Sequence, residues 1–340
     1  MKLKPQPLPP LAMPPIIDRL VFVLQWFDPQ PGPNTELLQD IRAKVKSAIA
    51  AGRCKWTPIP SRYFLNFTLI LQSGAEARIN IGAKDANRQK GGICIDINPS
   101  KLESGDIRHF KRMMRKIVGP EFNRLMLAPL INHLDIAADI KNLLLTNVLV
   151  MFRGAQQHSL FCQRMKSGGL ITGCNMGSVS SDYMDAVYGK NDERAVAAVR
   201  NIAKNGIKNE ELVENAIRQL KSVKRGPNVV RVEVRGKKLR GKRLVELQHL
   251  PNRFKRFQFA DLAGAGPTLP DWLCNSFHAL CWQNGVKHAL EEYRDSPHWT
   301  EINAYWKARQ ATWWKPEDMW VQACEELRTC GLFPESAFDE

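Results

Sequence analysis

Several short segments of this chain have the residue pattern of β-strands that bury one face of a sheet. Alternating apolar and polar residues place successive side chains on opposite faces, and β-branched and aromatic residues favour the same structure. The segments are 16–27, 63–72, 77–83, 92–98, 133–140 and 228–237. Glycine-containing turns separate the segments between 63 and 98, so we expect hairpins in a largely antiparallel sheet.

Helical periodicity occupies other parts of the chain. Apolar residues at helical spacing at 37–52, and from Ser104 to about Leu130, predict helices beside the sheet. From about residue 244 the strand pattern fades and proline-punctuated helices are expected. The predicted fold class is therefore α+β, a largely antiparallel sheet core with flanking helices and a helical C-terminal region. The predicted domains are a proline-rich arm (1–15), an α+β domain (16–243) and a helical accessory region (244–340).

The charge balance indicates the class of partner. The chain has 49 Lys and Arg against 34 Asp and Glu, a net charge of +15, which favours a polyanionic partner such as nucleic acid over a mere solubility role. The densest basic stretch is 221–243, in which Glu233 is the only acid, and its GKKLRGKR segment is expected in a loop after a strand. The predicted phosphate contacts are Arg231, Arg235, Lys237, Lys238, Arg240, Lys242 and Arg243. A solvated charge run is the alternative.

The sequence offers no support for a membrane role. The longest apolar candidate, 143–152, is shorter than a membrane span and contains Thr146 and Asn147. The N-terminal arm lacks the continuous apolar region of a secretory signal, and the eight cysteines include no C-x-x-C pair. We therefore expect a soluble cytoplasmic protein with reduced cysteines.

Acidic residues occupy the polar faces of three predicted strands. Asp135 and Asp139, with His133, lie opposite the apolar face of 133–140, Asp96 lies opposite three isoleucines, and Glu233 lies opposite three valines. Carboxylates beside a polyanion would repel it unless a divalent cation lay between them. The alternative is that each acid belongs to the solvated face of an antiparallel sheet.

Two tyrosines lie in the segment DYMDAVYGK. A tyrosine oxygen can attack a DNA phosphodiester and form a phosphotyrosine bond, provided a cation favours its ionised form. Lys190 follows Tyr188 by two residues and would share its side of a strand, whereas an unbroken strand could not aim Tyr183 and Tyr188 at one site. A packed structural role is the alternative for either tyrosine.

The ordered set of segments resembles a known family. The segments are IIDRLVFVL, ICIDINPSKL, HLDIAADI, DAVYGK and VVRVEVRGK, spanning roughly residues 16 to 240. In order and spacing they are similar to the rolling-circle replication initiators of filamentous phages, the gene II and gene X protein family, which is related to the plasmid Rep-trans initiators. The resemblance implies that 16–243 is a rolling-circle endonuclease domain.

The resemblance also implies an activity and its partners. The family nicks the plus-strand origin of double-stranded replicative-form DNA, forms a 5′-phosphotyrosine, and later ligates the displaced single strand into a circle. This implies metal-dependent endonuclease and strand-transfer activity in the host cytoplasm, with a host polymerase and helicase as further expected partners. Self-association into a homo-oligomer stays open.

Matching the family's motifs to this sequence implies the site residues. Tyr188 is the implied nucleophile, Lys190 its lysine and Tyr183 the alternative nucleophile. The implied metal ligands, for Mg²⁺ or Mn²⁺, are Asp135, Glu233, Asp96 and Asp139. The chain departs from plasmid relatives at Gly189, where they often carry an acid, and His133-Leu134-Asp135 departs from the His-hydrophobe-His motif of other rolling-circle nucleases.

Two further readings complete the expectations. A non-enzymatic basic DNA-binding phage regulator is the main alternative function, and an RNA-binding module is disfavoured because no aromatic RNP-like strand is seen.

Four tryptophans recur every seven residues from Trp299 to Trp320, but Pro316 interrupts the helix that a base-stacking ladder would need, so we expect a packed helical core.

Overall fold

The computed structural model covers the chain in segments separated by gaps. It describes residues 8–26, 35–57, 62–85, 92–154, 172–178, 180–205, 210–264 and 266–339. Statements about the structure below concern these residues.

The described strands form two sheets. They are β1 (Leu11–Ala12), β2 (Ile16–Leu24), β3 (Cys54–Trp56), β4 (Tyr63–Ile70), β5 (Glu76–Ala83), β6 (Ile93–Ile97), β7 (Leu130–Lys141), β8 (Val148–Phe152), β9 (Gly173–Met176), β10 (Asp185–Gly189), β11 (Val229–Gly236), β12 (Lys242–Arg243) and β13 (Phe257–Asp261). Eleven of them make an antiparallel sheet in the order β3-β4-β5-β6-β2-β7-β11-β10-β9, with β1 and β12 also paired to β7. The remaining two, β8 and β13, pair with each other.

The helices lie between and after these strands along the chain. They are α1 (Thr35–Ala50), α2 (Asp106–Val118), α3 (Glu121–Leu125), α4 (Lys190–Asn205), α5 (Glu210–Arg225), α6 (Leu244–Leu247), α7 (Asp271–Asn284), α8 (Val286–Glu292), α9 (Trp299–Ala308) and α10 (Met319–Thr329). The predicted α+β class, with its antiparallel sheet and C-terminal helices, is confirmed. In the described part of the chain, no helix is long and apolar enough to cross a membrane.

One strand was missed within the region predicted to be helical. Residues 257–261, FQFAD, form β13 because Phe257 and Phe259 alternate onto a buried face, where their rings stack with centroids 6.3 Å apart. A run of only five residues between helices carries too weak a periodic signal to stand out.

The chain divides into two compact units. The first unit comprises Met1–Pro15, Ala137–Val234 and Asn252–Trp320, and the second comprises Ile16–Ile136, Arg235–Pro251 and Val321–Glu340. Both β7 and β11 contribute residues to each unit. The domain boundaries predicted at 15/16 and 243/244 stay predictions.

The core of the second unit follows from simple residue patterns. In α2, Phe110, Met113, Met114 and Ile117 recur at helical spacing and are buried. Asp106, also buried, accepts hydrogen bonds from the backbone and hydroxyl of Ser73.

Hydrogen bonding fixes the charge state of that buried acid. Burial raises the pKa of Asp106, but the hydrogen bonds from Ser73 and from the backbone of Glu103 outweigh it and hold the pKa below its ordinary value. The carboxylate therefore ties the start of α2 to the turn after β4.

The first unit has a helical core against the two-stranded sheet. Phe277 of α7 and Ile302 of α9 are fully buried in one cluster with Trp306. Helix α9 ends at Ala308 and α10 begins at Met319, so no continuous helix carries the repeated tryptophans. Trp306 and Trp320 are buried, as the packed-core prediction requires.

Candidate active site

Tyr188 lies near the end of β10 and is half-buried. Across the sheet it pairs with Gly173 of β9 on one side and with Arg231 of β11 on the other. A Cβ atom on Gly173 would lie 2.5 Å from Tyr188 Cβ, closer than two carbon atoms approach. Glycine is thus required for β9 to pack beside Tyr188. Strands β9 and β10 pair antiparallel, with Tyr188 opposite Gly173.

Lys190 is brought to Tyr188 by a helix start rather than by a strand. The prediction that both residues share one strand face was wrong, because β10 ends at Gly189 and α4 begins at Lys190. The Lys190 ammonium nevertheless lies 5.6 Å from the Tyr188 ring centroid and 2.9 Å from Glu193 Oε2. Glu193 belongs to the first turn of α4, where a negative charge is favourable.

Tyr183, the alternative nucleophile, has different surroundings. It precedes β10, and the Arg253 guanidinium carbon lies 4.3 Å from its ring centroid. Arg253 also holds Asp185, the fully buried first residue of β10, with both carboxylate oxygens accepting hydrogen bonds. Each tyrosine therefore has a cation of its own.

Arg231 and Asp139 form an ion pair between neighbouring strands β11 and β7. Arg231 Nε and Nη2 donate to the two carboxylate oxygens of Asp139 at 2.6 and 2.8 Å. The Arg231 side chain is only 5% exposed, and it pairs across the strands with Tyr188. The two hydrogen bonds to Asp139 hold the Arg231 side chain in place on the strand beside Tyr188. The phosphate contact of Arg231 and the metal contact of Asp139 stay predictions.

Glu233 lies on the same strand as Arg231 and is buried. It pairs across the strands with Ala186 of β10, two residues before Tyr188. Its position agrees with the alternation of polar and apolar residues predicted for 228–237, although Glu233 is buried rather than solvated. Arg235, near the end of the strand, is partly exposed.

His133 and Asp135 meet on β7, as the two-residue spacing predicts. His133 Nε2 lies 2.7 Å from Asp135 Oδ1, and the two side chains are 16% and 9% exposed. His133 Nε2 makes no hydrogen bond in the described structure, so the close approach lacks hydrogen-bond geometry. A buried imidazole nitrogen and a carboxylate oxygen thus lie within ion-pair distance of one another.

Asp96 has an arginine partner that the sequence did not reveal. Arg19 of β2 donates from Nε and Nη2 to the Asp96 oxygens at 3.0 and 2.8 Å. The hydrogen bond to Asp96 raises the pKa of Arg19, and the charge of Asp135 acts in the same direction. Arg19 therefore interacts with two of the acids predicted to bind metal.

The described residues do not bring the predicted metal ligands together in one group. Among them, no group of three or more His, Cys, Asp or Glu side chains is arranged to hold a metal ion. Mg²⁺ often takes only one or two carboxylates and completes its shell with water and substrate phosphates. Asp135 supplies a carboxylate of the kind that such a site uses, and His133 lies beside it. Asp96 and Asp139 already have both oxygens bound by arginine.

The basic segment after β11 forms a loop that is anchored to β7. The backbone N–H of Leu239 donates to the carbonyl oxygen of Asn132 at 3.0 Å, and Leu239 is buried. Lys238 and Arg240 are exposed on either side of it, and Lys237 is partly exposed. The loop ends in β12, whose Lys242 and Arg243 pair with the start of β7. The predicted basic loop thus lies next to His133 along β7.

Comparisons with known proteins give little guidance. No family model matches the chain, and no curated protein matches it. The chain is similar to a solved structure of a rolling circle replication initiator protein from Geobacillus stearothermophilus, with 14% identity and a TM-score of 0.33, over 67% of this chain and 75% of that one.

Sequence reasoning missed the residues whose importance depends on strand register. Arg19, Asp185 and Arg253 each gain their role from a partner 68 or 77 residues away. The single arginine in the apolar run IIDRLVFVL was the available signal for Arg19. Gly173 was visible only as part of a glycine-rich segment.

Proposed function

We propose that this chain is a rolling-circle DNA replication initiator that nicks and rejoins one DNA strand, with Tyr188 as the nucleophile. The observation that carries the proposal is the setting of Tyr188, a half-buried tyrosine with Lys190 over its ring and the Arg231–Asp139 pair across the strand. The order of motifs in the sequence supports the same activity.

The proposed first step is a phosphoryl transfer to tyrosine. Tyr188 Oη gives up its proton to water and attacks the scissile phosphorus, while the bond from phosphorus to the 3′ oxygen breaks. The 3′ oxygen leaves as a hydroxyl after taking up a proton, and the 5′ phosphate stays on Tyr188. The positive charge of Lys190 favours the ionised form of the tyrosine.

The proposed second step reverses the first. The phosphotyrosine bond keeps the energy of the broken linkage, so a 3′ hydroxyl of the displaced strand can attack it and close a circle. Meanwhile the 3′ end at the nick would serve a host polymerase, with a host helicase opening the duplex. Double-stranded replicative-form DNA and the displaced single strand are the proposed substrates.

Several residues would hold the strand during both steps. Lys237, Lys238, Arg240, Lys242 and Arg243, with Arg235, are proposed to contact phosphates. Asp135, with His133, is proposed to hold Mg²⁺ or Mn²⁺, with Glu233, Asp96 and Asp139 as further candidate ligands. A bound ion would supply positive charge to the phosphate oxygens.

Two matched variants test the nucleophile. Wild type, Tyr188→Phe and Tyr183→Phe are each mixed with closed circular replicative-form DNA and Mg²⁺, and nicked circles and protein-linked 5′ ends are measured. We expect Tyr188→Phe to lose both products and Tyr183→Phe to keep them. Persistent adduct in Tyr188→Phe would move the nucleophile to Tyr183.

The same experiment separates an enzyme from a DNA-binding regulator. A regulator would bind the DNA equally well with EDTA or Mg²⁺ and would give no covalent product with the wild-type protein. That result would reject the proposed activity as a whole.

A further inference from the structure

Two arginines lie opposite each other at the end of the β8–β13 pair. Phe152 and Phe257 are the last paired residues, and one step beyond them the backbone N–H of Arg153 donates to the carbonyl oxygen of Arg256 at 2.8 Å. Like charges at directly opposed positions of an antiparallel pair destabilise it. A nearby negative charge would therefore stabilise the pair Arg153–Arg256.

The carboxylate beside this pair is already engaged. Asp185 is fully buried, and both of its oxygens accept hydrogen bonds from Arg253, the first residue of the turn that ends at Arg256. Arg253 also packs on the Tyr183 ring. Asp185 thus neutralises Arg253 and leaves the charges of Arg153 and Arg256 in excess.

The electrostatics of Arg256 agree with that excess. Burial lowers the pKa of Arg256 and the positive charge of Arg253 lowers it further, although Asp185 and Tyr183 act in the opposite direction. An additional anion would stabilise the charged form of this partly buried guanidinium.

The backbone beside Arg256 includes a glycine with a positive φ. Gly154 follows Arg153 with a φ of +90°, and a Cβ atom there would already lie within 3.9 Å of Arg256 Nη1. A guanidinium matches a phosphate group because its planar N–H groups can donate two parallel hydrogen bonds to the oxygens. Lys255, exposed in the same turn, adds positive charge.

We propose that Arg153 and Arg256 bind a backbone phosphate of the DNA strand. This subsite belongs to the first compact unit, whereas the basic loop at 237–243 belongs to the second. The inference rests on the proposed function for the identity of the polymer, because DNA supplies the phosphate. The anion site itself stands on the arrangement of the arginines.

The first test measures binding of a fluorescent single-stranded dT20 oligonucleotide across a NaCl series. Arg153→Gln and Arg256→Gln should each reduce the slope of the logarithm of the association constant against log salt, and the double variant should reduce it by about 0.7 in total, the value for one phosphate contact on a single strand. Arg256→Lys keeps the positive charge and should therefore retain most of the slope. It serves as the control that a substitution at this position leaves the fold intact. Arg294→Gln, which removes an exposed arginine of the same unit, should match wild type.

A second test examines the anion site without DNA. Inorganic pyrophosphate should raise the melting temperature of wild type and Arg294→Gln more than that of Arg256→Gln. If Arg153→Gln and Arg256→Gln keep both the wild-type salt slope and the wild-type pyrophosphate shift, the inference is wrong. If wild type binds no DNA but Arg256→Gln still loses the pyrophosphate shift, the proposed function fails and the anion site stands.

Discussion

Replacing Gly173 with alanine tests whether the close packing of β9 on β10 positions Tyr188. The added methyl carbon would lie 2.5 Å from Tyr188 Cβ and 3.1 Å from the carbonyl oxygen of Val187. Carbon atoms in contact lie about 3.5 to 4.0 Å apart, so the strands must separate by roughly 1 Å or more. Overpacking of this kind costs about 1 to 3 kcal/mol.

The same displacement would move the proposed nucleophile. Because a misplacement of about 1 Å can cost 10²-fold in rate, we expect Gly173→Ala to nick circular DNA about 10- to 100-fold more slowly. Urea denaturation should show a free energy of unfolding lower by about 1 to 3 kcal/mol. Gly226→Ala is the control, since its methyl would meet a single backbone oxygen, that of Ser222, at 3.2 Å. Wild-type nicking by a destabilised Gly173→Ala protein would refute the positioning argument.

Three further changes test other parts of the structure. Asp139→Asn removes the carboxylate that accepts two hydrogen bonds from the buried Arg231 guanidinium. Urea denaturation should show a free energy of unfolding lower by about 3 kcal/mol, and a decrease below about 0.5 kcal/mol would contradict a strong buried pair. The lowered pKa of Asp106 means that its carboxylate stabilises the fold above the unfolded-state pKa of about 3.9, and that this stabilisation is lost as the pH falls through the folded-state pKa. The difference in unfolding free energy between wild type and Asp106→Asn should therefore be constant from about pH 6 to 8 and shrink below about pH 4, whereas a difference that grows on acidification would contradict the assignment. Arg240 has a φ of 58°, so Arg240→Gly should relieve backbone strain and keep the free energy of unfolding. It should also reduce the slope of log affinity for duplex DNA against log salt by about 0.9. An unchanged slope would remove Arg240 from the proposed phosphate contacts.

The parts of the fold that follow from local patterns were predictable. The segment at 133–140 alternates because its side chains project to opposite faces, and Leu134 and Ile136 are buried as that pattern requires. The same rule brings His133 and Asp135 together on β7. The basic loop after β11 was predictable because glycine and lysine end the strand pattern there.

The pairings between distant segments were not predictable from one sequence. The partner of Asp96 is 77 residues away and that of Asp139 is 92 residues away, and both depend on strand order and register. Sequence alternation identifies an acid on a polar face but does not show whether an arginine will occupy both of its oxygens. Lys190 was predicted on a strand but lies at the start of a helix, because the acids at 192 and 193 favour a helix N-terminus.

The residue that becomes linked to DNA tests the central claim most directly. Wild-type protein is incubated with closed circular replicative-form DNA and Mg²⁺, the DNA is digested with nuclease, and the protein is cleaved into peptides for mass spectrometry. We predict one peptide that spans β10 and carries a nucleotide on Tyr188. A nucleotide on Tyr183 or on any other residue, or no nucleotide-linked peptide from DNA that has been nicked, would contradict the account.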